Sequence, residues 1–211
     1  MDGTLFNSTK QIISSANLAR QKLGYVTKNK DFYEPFIGLS AGNLFSDLSL
    51  KNRDIEIIVS EFRKHLSESI KTKNILFGGV LKFLKKTKES NILIGIATTK
   101  PTAIAKLVIR NSEIRTLINH IQGTDSFAPK PNPTVILKCL DKFKTSNAIM
   151  FGDRIEDITA GKNAGIISVG ISQGFHSSHA LSENGASLVF DNFTTALRNW
   201  RELMNILGQE K

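Results

Sequence analysis

Ala148-Ile149-Met150-Phe151-Gly152-Asp153-Arg154-Ile155-Glu156-Asp157-Ile158-Thr159-Ala160-Gly161-Lys162-Asn163-Ala164-Gly165 begins as an apolar run too short for a helix, halts at Gly152, and continues with two acids before a series of small residues. That order reads as a strand, a turn and a close-packed helix. Asp153 and Asp157 stand four positions apart, so a turn and a first helical winding that hold both bring their carboxylates together beyond the strand's carboxyl end. In open α/β sheets that is where ligands bind. Two hard carboxylate oxygens with no His or Cys beside them favour Mg²⁺ over zinc. An N-capping Asp153, with Asp157 as a first-turn partner of the helix dipole, is the alternative that the stretch alone leaves open.

The alternation continues on both sides of it. Upstream, Val80 to Ser90 reads as a helix, and Ile92-Leu93-Ile94-Gly95-Ile96-Ala97 is the flat apolar run of a strand buried on both faces. Thr98-Thr99-Lys100-Pro101 ends that strand, with Pro101 placed to open the next helix, 101–112. A short strand at His120 to Gly123, a loop to Lys130-Pro131-Asn132-Pro133, and a helix carrying Val135, Ile136, Leu140 and Phe143 follow. Downstream, strands are expected at Ile166 to Ile171 and Ser187 to Phe190, then a last amphipathic helix through Leu197, Trp200, Met204 and Leu207. Buried strands alternating with helices imply an α/β fold with a doubly wound parallel sheet and right-handed crossovers.

The first third differs. Ile12, Ala16, Ala19 and Leu23 share one helical face ended by Gly24, Phe36-Ile37-Gly38-Leu39-Ser40 is a punctuated loop, and Ile55, Ile58, Val59, Phe62, Leu66 and Ile70 mark a long amphipathic helix. Residues 10–78 are therefore expected to be wholly helical and to form a small lobe, with Gly78-Gly79 as its boundary. Residues 1–9 and 79–211 are left for the sheet core.

A length of 211 with 40% hydrophobic residues suits one good core plus a smaller lobe. No apolar run approaches the ~20 residues of a membrane span, and no basic-then-apolar signal opens the chain, so a cytoplasmic protein is expected. The single cysteine, Cys139, lies among Ile136, Leu137 and Leu140, the setting of a buried, reduced thiol. A net charge of +9 invites a nucleic-acid partner. The basic residues are scattered, however, with no run longer than Lys85-Lys86 and no aromatic platform between them. The charge is read as solvated surface that steers anionic substrates, and neither a nucleic-acid nor a membrane partner is expected.

The candidate polar groups sit at the carboxyl ends of expected strands: Thr98 and Thr99 after one, Lys130 after another, Asp153 and Asp157 after a third. In a parallel sheet those ends share one rim. Each group has a bland alternative, with Thr98 as a helix cap, Lys130 as a solvated lysine and Asp2 as a terminal turn residue. Their coincidence points to a pocket where Mg²⁺, an ammonium and a hydroxyl bind a phosphoryl group.

Taken together, Asp2-Gly3-Thr4-Leu5, the strand ending at Thr98, Lys130-Pro131 with Pro133, and Gly152-Asp153 with Asp157 resemble the four motifs of the haloacid dehalogenase superfamily, in order over nearly the whole chain. Lys100-Pro101, Asp157-Ile158 through Ala164-Gly165, and Gly170 with Gly174-Phe175 are most similar to its phosphoglycolate phosphatase branch. The resemblance implies a Rossmann-like core with a helical cap over 10–78, and Mg²⁺-dependent hydrolysis of a small phosphorylated metabolite through an aspartyl-phosphate. A phosphomutase remains open, and a haloacid dehalogenase is disfavoured because such enzymes need no metal. By that resemblance Asp2 is the general acid/base, and its main-chain carbonyl is a metal ligand. Gly3, Thr98, Thr99 and Lys130 bind the phosphoryl group, Asp153 ligates the metal directly, and Asp157 acts on it through water or through its neighbour. The family's nucleophile is an aspartate two residues before the acid/base, where this chain has only Met1 ahead of Asp2. The expectation is that the true start lies upstream and that Met1 is the middle of an Asp-Met-Asp-Gly-Thr motif. A catalytically dead phosphate-binding or interaction domain is the alternative. Arg20, Lys22, Arg53, Arg63 and Lys64 are candidates for meeting a second substrate anion, and His65, His120, His176 and His179 receive no role. Oligomeric state is not readable.

Overall fold

The amino-terminal residues fold back on themselves before any regular element begins. The amides of Leu5 and Phe6 both donate to the Met1 carbonyl, at 2.9 and 3.1 Å, and the Gly3 amide donates to the Phe6 carbonyl at 3.0 Å. Gly3 sits at φ +72°, a left-handed conformation that a residue without Cβ adopts freely. The structure, a computed structural model, describes residues 1–72 and 74–208. Phe6 bridges Leu76 in antiparallel fashion, while the Asn7 amide donates to Ile75 and the Phe77 amide to Leu5, both at 2.9 Å. The outgoing and returning crossings of the helical lobe therefore lie side by side.

That lobe contains α1 (Thr9–Lys22), the short α2 (Lys30–Tyr33) and the long α3 (Asn52–Thr72). Ile58, Val59, Phe62, Leu66 and Ile70 of α3 recur at helical spacing and are buried with Ile12, Ala16 and Ala19 of α1. Between the two long helices the lobe is less regular than the helices expected around a loop at Phe36–Ser40. Residues 34–48 form 3-10 turns, Glu34–Phe36 and Ala41–Leu48, because Pro35 removes a donor, Gly38 adopts φ +93° and Ser49 ends the second turn at φ 43°. Lys73, inside the expected range, and Gln209–Lys211 at the end of the expected core lie outside the described residues.

The remaining elements are α4 (Val80–Glu89), β1 (Gly95–Ala97), α5 (Thr102–Arg110), β2 (His120–Gln122), α6 (Thr134–Phe143), β3 (Ile149–Gly152), α7 (Ile155–Asn163), β4 (Ile167–Ile171), α8 (Ser178–Glu183), β5 (Leu188–Phe190), α9 (Phe193–Arg198) and α10 (Trp200–Leu207). Each strand pairing is parallel, as the strand–helix alternation requires. The last helix expected as one is two, broken at Asn199, and Asn192 caps the first by accepting from the Thr195 amide at 3.0 Å. The sheet is in two pieces, β1 with β2 and β3-β4-β5. Between β1 and β3 runs an apolar cleft of about 390 Å³, walled by Ile96, Cys139, Met150, Phe151 and Leu203 among others. Among the described residues no helix is long and apolar enough to cross a membrane.

Candidate active site

β1 ends at Ala97 and β3 at Gly152, so Thr98 and Asp153 leave the sheet at the same rim. Lys130 arrives there on the loop before α6 and is 8% exposed. Its Nζ donates to Asp157 Oδ1 in a short ion pair and to the Ala97 carbonyl at 3.4 Å, tying the end of β1 to the start of α7. Asp157 Oδ2 accepts from the amides of Asp153 and Arg154, each at 3.2 Å. The cap residue of α7 is thus Arg154 rather than Asp153, and Asp157 closes the turn from its third helical position. Burial works to raise the Asp157 pKa, but Lys130 and the donated hydrogen bonds hold its carboxyl below the usual carboxylate range.

Asp153 is treated differently by its surroundings. Thr4 Oγ1 donates to its Oδ1 at 2.6 Å and the Phe175 amide to its Oδ2 at 3.1 Å, and among the described residues no cation stands within ion-pair distance of it. Burial and the neighbouring Asp157 push its pKa up to about 6. The backbone crowds it as well: a Cβ at Gly3 or at Gly174 would run into its carboxylate. The α-amino group of Met1 is buried in the same place, its pKa lowered by burial and then by Lys130.

Asp2 stands at the other edge of this group. Its Oδ1 accepts from Ser8 Oγ at 2.5 Å and its Oδ2 pairs with Lys100 Nζ at 2.8 Å. Burial opposes ionisation, yet Lys100 keeps the Asp2 pKa lowered. Thr98 is buried, and its hydroxyl accepts from the Lys100 amide at 3.3 Å, leaving the O–H free to donate. Thr99 turns the other way, its Oγ1 donating to the Gly38 carbonyl of the helical lobe at 2.6 Å. Between lobe and core lies a chamber of about 210 Å³, lined by Asp2, Phe36, Phe62, Arg63, Lys100 and Pro129 among others.

Residues 1–171 match the haloacid dehalogenase-like hydrolase family. The chain belongs to that family. As a haloacid dehalogenase-like hydrolase it is 25% identical over 215 residues to the phosphoglycolate phosphatase of Vibrio parahaemolyticus, covering 93% of this chain and 92% of that one. It is 26% identical over 210 residues to the phosphoglycolate phosphatase of Pasteurella multocida, with 93% and 94% covered. In fold it is similar to a predicted phosphatase from Clostridium acetobutylicum, with TM-score 0.85, 21% identity and coverage of 96% and 95%. A predicted phosphoglycolate phosphatase from Haemophilus somnus gives TM-score 0.84, 22% identity and 95% coverage of each chain.

Within this hydrolase the carboxylates Asp153 and Asp157 and the Lys130 ammonium converge, with Thr98 following the strand whose Ala97 carbonyl Lys130 meets, and several contacts that sequence reasoning did not assign support them. Thr4 and Lys100 lie within the motifs and Ser8 just beyond one, yet their contacts are made by the turns and not by spacing. His176, assigned no role, accepts the Ile155 amide on Nδ1 at 3.2 Å in the loop that wraps Asp153. Of the cations considered for a second substrate anion, Arg20 is fully buried against Asp47 and Lys22 pairs with Glu61 at 2.7 Å, whereas Arg63 lines the chamber. Among the described residues no group of three or more Asp, Glu, His or Cys side chains gathers as a complete metal cage. The donor set nevertheless fits Mg²⁺, which is bound through one or two carboxylates plus water and substrate phosphate oxygens. Asp153 offers the poorly compensated buried charge that such a cation relieves.

Proposed function

We propose that this haloacid dehalogenase-like hydrolase is a Mg²⁺-dependent, cytoplasmic phosphomonoesterase for a small metabolite of the phosphoglycolate kind, with residues 10–78 as a cap over the chamber. The observation that carries the reading is Asp153, a buried carboxylate that makes no ion pair with a side chain among the described residues, held beside the Lys130–Asp157 pair at the carboxyl rim of the parallel strands. The phosphoglycolate phosphatase relatives agree with it over nine-tenths of their length. Asp153 and the Asp2 carbonyl would hold the Mg²⁺, with Asp157 supporting through water, and the cation would neutralise charge on the transferring phosphoryl oxygens.

The protein's own groups take the remaining work. Lys130 and the Thr98 hydroxyl bind and orient the phosphoryl oxygens, Thr99 serving through its main chain while its side chain holds the lobe; the Gly3 amide, expected to join them, is engaged by the Phe6 carbonyl. Asp2 gives a proton to the leaving alkoxide as the P–O ester bond breaks, then takes one from the water that completes hydrolysis, work of ~10²–10⁴-fold in rate. Lys100 at 2.8 Å favours the carboxylate form and so suits the second, basic step. By the resemblance the attacking carboxylate would be an aspartate at the end of an apolar strand, two residues before the acid/base. The cleft between β1 and β3, apolar on both walls and flanked by parallel strands, has the character such a strand needs.

A phosphate-binding module of the same fold is the second reading. It is favoured by the engagement of Asp2, Asp153 and Asp157 with protein donors, which leaves none of the three as a free nucleophile. The two separate on p-nitrophenyl phosphate with Mg²⁺. A polypeptide proven to start at Met1 is expected to show little or no turnover, and one extended by an apolar run ending Phe-Asp to turn over and to melt higher. Equal turnover by both forms would overturn the aspartyl-phosphate route. Phosphate binding by calorimetry with no turnover in either form would establish the binding module instead.

A further inference from the structure

The helical lobe rests on the core at loop 35–38, and one core side chain that reaches it is Arg154, 6% exposed. Its Nη1 donates to the Ile37 carbonyl at 2.6 Å and its Nη2 to the Pro35 carbonyl at 3.1 Å, while Nε donates to Glu156 Oε2 at 3.1 Å. The guanidinium carbon stands 4.0 Å from the centroid of the Phe175 ring, a stacked cation–π arrangement. Gly38 at φ +93° lets the loop lie directly on the arginine stem, since a Cβ there would come 2.9 Å from Arg154 Cδ. Thr99 adds its hydroxyl to the Gly38 carbonyl beside these contacts.

The main chain of the same residue faces the acids. The Arg154 amide donates to Asp157 Oδ2, and the amide of its stacking partner Phe175 donates to Asp153 Oδ2. Neither Arg154 nor Phe175 has a part in the phosphoryl chemistry derived above.

We propose that Arg154 is a positioning residue: it fastens loop 35–38 over the chamber and ties the seating of the lobe to the geometry of Asp153 and Asp157. A planar fork holds two donors in fixed directions towards the two carbonyls, a preorganisation that the rotating donors of a lysine ammonium lack. Lifting the lobe takes the Pro35 and Ile37 carbonyls from these donors and leaves the guanidinium held by Phe175 and Glu156 alone. The chamber's closure therefore depends on a side chain whose backbone is fixed at the carboxylates, with the Thr99 hydroxyl beside it. The inference rests on the hydrolase reading only for which molecule enters the chamber.

Amide hydrogen exchange on the full chain tests it without reference to turnover. Arg154→Ala is expected to speed exchange at residues 36–41 by roughly tenfold or more, the scale of losing a hydrogen bond to a charged group, with β3 and β4 unchanged. Arg154→Lys should give an intermediate rate, because one carbonyl can still be met. Thr99→Val, which removes a single hydroxyl from the same loop, should speed exchange near Gly38 and keeps the idea testable if Arg154→Ala does not fold. In whichever form turns over phosphomonoesters, Arg154→Ala should raise KM more than it lowers kcat. Unchanged exchange at 36–41 in folded variants, or a uniform rise through the sheet with no rescue by lysine, would overturn the proposal. Absence of turnover in every form would defeat the hydrolase reading and leave the exchange result standing.

Discussion

Asp153 is pushed up to about 6 by burial and by Asp157, so near neutral pH the protein without divalent cation holds an anion with little compensation. A carboxyl whose folded pKa lies above its ordinary value of 3.8 contributes stability below that ordinary value and loses it as pH rises through about 6. Mg²⁺ competes with the proton at this position, and its stabilising effect should follow the ionised fraction. Thermal melts with Mg²⁺ and with chelator, on the two sides of that pKa, are expected to show the larger upward shift above it. An equal shift on both sides would separate Asp153 from metal binding. The acids themselves were legible because a spacing of four across a strand–turn–helix boundary leaves few other geometries. Lys100 was not, since its pairing with Asp2 joins residues almost a hundred positions apart through two unrelated turns. The same holds for Gly174, whose closeness to Asp153 no local pattern announces.

At the scale of elements, the apolar faces of α1 and α3 followed from periodicity, and the strands fell within a residue or two of the runs that announced them, apart from the later start of β1. Arg20 broke the pattern. It lies on the buried face of α1, fully enclosed, paired with Asp47 and ringed by Phe32, Tyr33 and Phe45 at 5.4, 5.8 and 5.6 Å. The sequence gives no sign of it, because what makes burial of that charge tolerable comes from a 3-10 turn in a stretch expected to be α-helical. Arg20→Leu strands the Asp47 carboxylate, a change that costs about 3–5 kcal/mol when the partner is fully buried. Asp47 retains Lys28 at 3.1 Å and some water, so the loss should fall at or below the lower end of that range, read from the urea midpoint. An unaltered midpoint would mean the pair contributes nothing beyond its packing.

Over the whole molecule, parallel strands and alternating helices were readable from buried runs separated by amphipathic ones, but the division of the sheet was not. Pairing registers reside in strand neighbours, and a single chain's periodicity does not say which strands adjoin. The net charge of +9 is likewise a whole-molecule property, spread over the surface. Screening lengths shorten to ~8 Å at physiological ionic strength, so phosphomonoester KM is expected to rise with added salt while kcat stays level. A KM that ignores salt would assign anion capture to the site residues alone. One thiol also reports on the molecule as a unit. Cys139 is buried between α6 and β1, gives its S–H to the Ile96 carbonyl at 3.6 Å, and has its pKa pushed up to about 11 by burial. Roughly one molecule in ten thousand carries the reactive thiolate near neutrality. An alkylating reagent will therefore label the native protein slowly near neutrality even though Cys139 lines the cleft beside β1, and faster as pH climbs towards 11, making covalent labelling a gauge of how firmly the interior keeps its thiol protonated.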